Sequence, residues 1–347
     1  MDARNLYFEM TPGMARDVLA AAGHKAFRAR QLADWVYAKG VTDPDAMSNL
    51  PAAVTDEFSF LTSSIAARAI SRDGTTKLLL DLSDGCQVET VLIPSPKRAT
   101  ACVSTQAGCA VGCKFCASGL GGLQRNISSG EILQQLVHLR QATGTAPTNV
   151  VFMGMGEPLA NYDATVTAVR AIIDPDRFGI SARRVTVSTI GIPAAIGRLA
   201  GEDLAITLAI SLHAPTDELR KEIIPTAAKF SIDEILAAAG EFYQARKREV
   251  TLEYVLLAGV NDAEHHAKNL SRLARRLRCN VNLIRYNPVE SLPFAQSSRN
   301  ATDAFIDTLR ENGANATVRQ SRGSDIAAAC GQLKGRTARS SGQGPGS

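Results

Sequence analysis

No run of about 20 apolar residues occurs in this 347-residue chain, so nothing in it is long enough to span a bilayer as a helix. Met1-Asp2-Ala3-Arg4-Asn5 has no apolar core behind it, so no secretory signal is expected. There is no sign of a disulfide framework. The seven cysteines are odd in number and clustered, which reads as metal or catalytic use in a reducing compartment. A cytoplasmic location is the expectation. A strong excess of one charge is absent too. The net charge is +4, with −1 on residues 1–70 and +3 on the tail from Gly331, so the body is only slightly basic. Bulk charge therefore does not mark a nucleic-acid binder. Local groups (Lys97-Arg98, Arg183-Arg184, Arg246-Lys247-Arg248 and Arg275-Arg276) are places where phosphate contact is open, against the plainer reading of solvated helix faces. With 45% apolar and 21% charged residues, the composition is that of a globular protein, and the length predicts about two domains.

What the chain does have is Cys109-Ala-Val-Gly-Cys113-Lys-Phe-Cys116. Structural zinc sites usually close with four ligands, and iron–sulfur clusters usually take four thiolates. Three thiolates leave one metal position for a small molecule, which points to chemistry rather than scaffolding. A zinc loop or three packed thiols remain alternatives at this spacing.

Around this motif the pattern changes twice. Thr11-Pro12 is a capped helix start, Leu32, Trp35 and Val36 mark a second helix ended by Gly40, and Asp45 to Phe60 reads as a third. Residues 1–70 are thus expected to form a small helical domain. Thr76–Leu82 and Gln87–Ile93 flank Ser83-Asp84-Gly85 and predict a β-hairpin, so residues 71–98 read as a linker. From residue 99 to 333 strands alternate with helices. The strands are expected at 101–104, 149–153, 185–189, 205–212, 250–256, 281–284 and 316–318, with capping boxes at Ser128/Glu131 and Ser231/Glu234. This is the signature of an α/β fold with a parallel sheet, here a partial or full (β/α) barrel. Residues 334–347 read as a disordered basic tail.

Sites in such barrels lie at the C-terminal ends of strands. Gly154-Met155-Gly156-Glu157-Pro158 follows one strand, and its glutamate can accept from an ammonium. Ser188 and Thr189 end the next strand, Ser211-Leu212-His213 another, and Asn287 a later one. A plain turn or a packed histidine is the competing reading for each taken alone. His265 and His266 fall on a polar helix face, and Cys86 and Cys279 read as inert. Cys102 precedes the triple-cysteine motif, and Cys330 lies on a Gly-containing loop where a thiolate can reach a barrel mouth.

With these motifs together, the chain resembles the RlmN/Cfr family of radical S-adenosylmethionine (SAM) RNA adenine methyltransferases. The likeness runs from Phe27-Arg28-Ala29-Arg30-Gln31-Leu32 to Ala329-Cys330-Gly331-Gln332-Leu333, and is most specific at 102–109, 154–158, 211–215 and the Cys330 segment. The resemblance implies a radical-SAM partial barrel. It implies a 4Fe-4S cluster on Cys109, Cys113 and Cys116, and SAM fixed by Gly156, Glu157, Ser188, Ser211, Leu212, His213 and Asn287. Cys330 is then the methyl carrier, Cys102 releases the adduct through a transient disulfide with Cys330, and Glu89 is the proton acceptor. An RNA-contacting role for the helical domain, 23S rRNA and tRNA as partners, an electron donor such as flavodoxin or ferredoxin, and a monomeric state belong to the same expectation.

Such a mechanism suits the substrate. An adenine ring carbon bonded to hydrogen is poorly nucleophilic, so radical addition through a covalent cysteine divides a hard step. The base must leave its stack, which favours looped RNA. Ile190, Arg285 and Gly122–Asn126 look like the Cfr branch, which methylates carbon 8. Phe27–Leu32, Val88–Thr90 and Ser321-Arg322-Gly323 look like the RlmN branch, which methylates carbon 2. The balance favours carbon 2. The alternatives are carbon-8 methylation of rRNA conferring antibiotic resistance, and a non-enzymatic metal-containing RNA-binding module.

Overall fold

A computed structural model describes residues 5–277 and 279–334. Apart from Lys334, the tail expected to be disordered lies outside these residues.

The N-terminal unit begins with β1 (Asn5–Leu6), followed by α1 (Pro12–Ala21) and α2 (Phe27–Ala33). Thr11 caps α1 as its sequence predicts, accepting from the Met14 N–H. The chain after α2 continues in a π-helical stretch, Asp34–Lys39, and stops at Gly40, whose φ of +73° suits a residue without Cβ. The third helix expected over 45–60 is not formed. A short 3₁₀ turn (Pro44–Ala46), a four-residue α3 (Ala52–Thr55) and β2 (Phe58–Ser59) take its place. Pro51 is the cause: it disfavours helical backbone at the residue before it, so a helix can only begin after it. Phe58 and Phe60 then join Tyr7, Phe8 and Tyr37 in a buried aromatic cluster.

Residues 64–70, expected within the helical unit, form β3 (Ser64–Ile70). It pairs antiparallel with β4 (Thr76–Asp81), which pairs with β5 (Gln87–Ser95), which pairs with β6 (Arg98–Cys102). The predicted hairpin is therefore the antiparallel flank of the main sheet. A small ribbon of β7 (Gln106–Gly108) and β8 (Leu123–Asn126) brackets the triple-cysteine loop. From β6 the sheet continues in parallel through β9 (Asn149–Phe152), β10 (Val185–Thr189), β11 (Thr207–Ser211), β12 (Val250–Leu256), β13 (Asn280–Arg285) and β14 (Asn315–Arg319). The ten strands run in the order β14-β13-β12-β11-β10-β9-β6-β5-β4-β3, and the two edge strands do not pair, so the barrel is partial.

Outside the sheet lie α4 (Ser129–Thr143), α5 (Tyr162–Ile173), α6 (Pro193–Gly201), α7 (Asp217–Ile223), α8 (Ile232–Arg246), α9 (Glu264–Leu277) and α10 (Arg299–Glu311). Both capping boxes read from the sequence open helices, at α4 and α8. α4 also carries the N-terminal unit. Glu9 accepts from Ser129 Oγ (2.9 Å) and the Gly130 N–H (3.0 Å), while Arg140 donates to the carbonyls of Tyr37 (3.0 Å) and Ala38 (2.7 Å).

The strands alternate with period two. Outward residues such as Leu208, Ile210, Leu252, Tyr254, Val281 and Leu283 are buried against helices in the main core. Inward residues are different: Thr100, Asn149, Thr186, Thr251, Asn280, Asn282 and Thr317 line an open chamber of about 710 Å³. A closed eight-stranded barrel fills its interior with packed apolar layers; this one keeps a polar interior space.

Candidate active site

At the C-terminal ends of the strands lies a second, smaller cavity of about 140 Å³. The loop between β7 and β8 brings Cys109, Cys113 and Cys116 to it, and Gly156, Glu157, Ser188, Ser211 and His213 line it from successive strand ends. Five residues line both spaces: Met153, Glu253, Ile284, Cys330 and Leu333. Cys330 is thus at the junction. Its accessible surface faces these cavities, and burial raises its thiol pKa. Cys102 opens onto the large chamber. Its thiol is pushed up to about 12, first by burial and then by the neighbouring Cys330.

Close backbone approach builds the small cavity. After β9 the chain crosses residues 103–106, with Thr105 N–H donating to the Met155 carbonyl (2.9 Å) and Glu157 N–H to Gln106 Oε1 (2.8 Å). Gly156 has φ +99°, and a Cβ there would stand 2.6 Å from Gln106 Cβ. Only glycine suits that position. Glu157 is buried, and its carboxylate accepts from the N–H groups of Leu159 (3.0 Å) and Ile190 (2.9 Å). Burial raises its pKa, while these bonds and one from Thr189 oppose the rise. The carboxylate still has acceptor sites toward the cavity.

Ser188 and Ser211 face each other, Oγ to Oγ 3.2 Å. His213 has φ +60° and packs edge-on to Phe115, ring centroids 5.1 Å apart. The Val255 N–H donates to its Nδ1 (3.1 Å), which assigns the ring proton to Nε2. Burial lowers its pKa to about 3, so the ring is neutral. Asn287 sits on the chamber side and donates to the Cys330 carbonyl (3.2 Å).

Two expected site residues lie elsewhere. The Leu212 side chain is fully buried in the main core, and its carbonyl accepts from Arg220. Glu89 lines neither cavity. Its carboxylate pairs with Lys77 (2.9 Å) and accepts from the Lys334 N–H (2.8 Å), so it sits directly behind Leu333. Arg285, counted among the sequence departures, binds Gln296 (3.0 Å) and also lines neither cavity, whereas Ile190 lines the smaller one.

The segment carrying Cys330 is clamped at several points. Asp325 accepts from Ser71 Oγ (2.6 Å), Asp73 from the Gly323 N–H (3.1 Å), the Gly331 carbonyl from the Ala117 N–H (2.8 Å) and the Leu333 carbonyl from Ser118 Oγ (2.5 Å). The methyl-carrier candidate and the triple-cysteine loop are therefore tied together directly.

Burial raises all three thiols of the triple motif, Cys109 to about 11, so they stay protonated unless a metal replaces the protons. Among the described residues no three His, Cys, Asp or Glu side chains are grouped tightly enough to hold one ion. A cubane cluster gives each thiolate its own iron, and three cysteines lining one cavity suit it. The site missed from the sequence is the chamber wall: Glu253, buried and bound by Asn282 Nδ2 (3.1 and 2.8 Å), and Arg319, bound to Met153 Sδ (3.4 Å). Arg98, Arg183, Arg184 and Arg322 also line this chamber.

Comparison with known proteins agrees with this geometry. Residues 103–270 match the radical SAM superfamily, and residues 5–60 match the ribosomal RNA large subunit methyltransferase N-terminal domain. A probable dual-specificity RNA methyltransferase RlmN from Rhodopirellula baltica is 43% identical, covering 92% of this chain and 88% of that one. A protein of the same name from Symbiobacterium thermophilum is 45% identical, covering 94% and 92%. In solved structures, a radical SAM methyltransferase from Sphaerobacter thermophilus matches at 42% identity and TM-score 0.91, covering 94% of this chain and 98% of that one. The chain belongs to the RlmN family of radical-SAM RNA methyltransferases.

Proposed function

We propose that this protein methylates carbon 2 of adenosine in 23S rRNA and in the anticodon loop of tRNA, with Cys330 as the methyl carrier. The observation that carries the reading is the position of Cys330 on both cavities, between the triple-cysteine loop and a chamber that also holds Cys102. Cys109, Cys113 and Cys116 would hold a 4Fe-4S cluster, with SAM beside Gly156, Glu157, Ser188, Ser211 and His213. When bound, the pair supplies methyl groups and a hydrogen-abstracting radical.

The chain's own groups do the rest. Glu157 offers a buried acceptor for an ammonium, and neutral His213 offers Nε2–H. The chamber is large enough for an unstacked nucleotide, with arginines to meet phosphate and with Glu253 and Asn282 as polar groups for a base edge. Cys330 bears the methylene bound to the base, and the radical adduct would give up one electron to the oxidised iron–sulfur site. The Cys102 thiolate attacks the Cys330 sulfur, an S–S bond forms, the S–C bond breaks, and the departing carbon takes a proton. Glu89 accepts the proton lost from the adenine carbon, and for this the Leu333–Lys334 segment must move aside. Burial raises the Cys102 thiol pKa, so its proton leaves only as its sulfur attacks.

The helical unit on α4 would contact the RNA, a low-potential protein such as flavodoxin or ferredoxin would supply electrons, and a monomer suffices because all of these groups come from one chain. Among the described residues no helix is long and apolar enough to cross a membrane. The relatives carry the RlmN name, and carbon-8 methylation is not favoured. The test is anaerobic reconstitution with methyl-labelled SAM. The tryptic peptide containing Cys330 is expected to gain one labelled methyl group, and added RNA to gain label with its loss. Label in RNA with Cys330 never modified would overturn the carrier role.

A further inference from the structure

Arg220 on α7 is 1% exposed, the bulkiest of the fully buried side chains. Its Nε donates to the Leu212 carbonyl (3.3 Å) and its Nη2 to the Ile190 carbonyl. Among the described residues no carboxylate forms an ion pair with it. Asp217, one turn before it, accepts instead from the Ile232 N–H (2.8 Å). A buried guanidinium without a counter-ion is costly unless negative charge stands nearby.

The neighbouring element is the triple-cysteine loop. Lys114 N–H donates to the Ile223 carbonyl (2.9 Å), and Thr226 Oγ1 donates to the Val111 carbonyl (2.9 Å). Val111, Phe115, Ile223 and Ile224 share one apolar cluster against which the three cysteines and Leu219 pack. Among ionisable neighbours, Cys113 and then Asp217 lie within electrostatic reach of Arg220. Arg220 lines neither cavity.

We propose that Arg220 is the fixed counter-charge of the triple-cysteine site, easing one-electron reduction of the cluster held there from behind the loop. The inference rests on the cluster reading above. Reduction adds one negative charge to the cluster, taken from a low-potential electron carrier. A buried cation within electrostatic reach favours the more negative state, and burial keeps its field from being screened. The two carbonyl bonds hold the guanidinium in place, so Arg220 is a positioning residue that acts through charge.

The experiment is an anaerobic, EPR-monitored redox titration of the reconstituted full chain, with iron and sulfide counted in each sample. Arg220→Gln removes the charge, and Arg220→Lys keeps it. At a fixed potential near the wild-type midpoint, Arg220→Gln is expected to show at least a tenfold lower ratio of reduced to oxidised cluster, about 59 mV for one electron. Arg220→Lys should stay within about threefold, near the small spread of a preserved charge. An unchanged midpoint in Arg220→Gln at full iron content would overturn the proposal, as would equal shifts in both variants, which would mark packing rather than charge. If Arg220→Gln does not fold, Arg220→Met serves as the neutral variant under the same readout. Failure of the wild type to show a reducible cluster would instead bring down the cluster reading itself, so the two failures are distinguishable.

Discussion

The two cavities that meet at Cys330 are built in opposite ways. The smaller one is made by loops at strand ends, and several of its polar groups are held in place by internal bonds: Glu157 by two backbone N–H groups, His213 by Val255, Ser188 by Ser211. The larger one is made by the strands themselves, one Asn or Thr at a time, with Arg98, Arg183, Arg184, Arg319 and Arg322 on its wall. A site whose donors and acceptors are already fixed suits an invariant small molecule. A roomy polar interior with positive charge suits a variable, phosphate-bearing one. Cys330 is the thiol shared by both spaces, so a group carried on it changes compartments without the chain having to release it.

Removing the shared thiol should break the comparison most completely. Cys330→Ala is expected to abolish RNA methylation, while iron content and SAM affinity remain those of the wild type; residual turnover in a radiolabel assay would count against the carrier role. Cys102→Ala touches only the chamber side. It should allow addition to the base and then stall, leaving a covalent protein–RNA species on a denaturing gel, and recovery of free RNA alone would remove Cys102 from product release.

A smaller effect is expected at the chamber arginines. Arg183→Ala with Arg184→Ala should weaken RNA binding about tenfold, whatever the sequence, and flatten the salt dependence by roughly one unit of slope per lost phosphate contact. SAM affinity should not change, because neither residue lines the smaller cavity. A further effect, on stability rather than on RNA, belongs to pH. Burial holds the His213 pKa at about 3, well below its ordinary value near 6.5, so the unfolded chain binds the proton more readily. Its contribution to stability is complete above about pH 6.5 and is lost as pH falls toward 3. His213→Gln, measured by thermal melts across that range, should show a shallower loss on the acid side than the wild type.

The same comparison explains what could be read in the sequence. The smaller cavity was legible because its residues come in short runs: Cys109 to Cys116, Gly154 to Pro158, Ser211 to His213. Tight turns and close backbone approach demand specific residues side by side. Apart from β6, which begins three residues before the expected run, the parallel strands were legible within two residues at each end for the same local reason, and so were both capping boxes. The chamber was not legible. Asn149, Thr186, Thr251, Glu253, Asn282 and Arg319 are spread over five strands, and each looks like an ordinary polar position in an alternating run. Only the curvature of the open sheet brings them to one wall. Arg220 hid in a helix that reads as a surface segment, Asp217-Glu218-Leu219-Arg220-Lys221-Glu222, and nothing local marks which of its charges turns inward. The missing third helix had a visible cause in Pro51, which the run of apolar residues around it outweighed in the reading. The expected SAM contact at Leu212 came from resemblance alone, and its side chain points to the core.

The central claim is that the chamber presents carbon 2 of an adenine to the carbon carried on Cys330. The most direct measurement is the position of the new methyl group in nucleosides digested from RNA after turnover by the reconstituted protein. The account predicts 2-methyladenosine, in both 23S rRNA and tRNA, and its disappearance with Cys330→Ala. Recovery of 8-methyladenosine, or of unmodified adenosine from an enzyme with a full complement of iron, would contradict it.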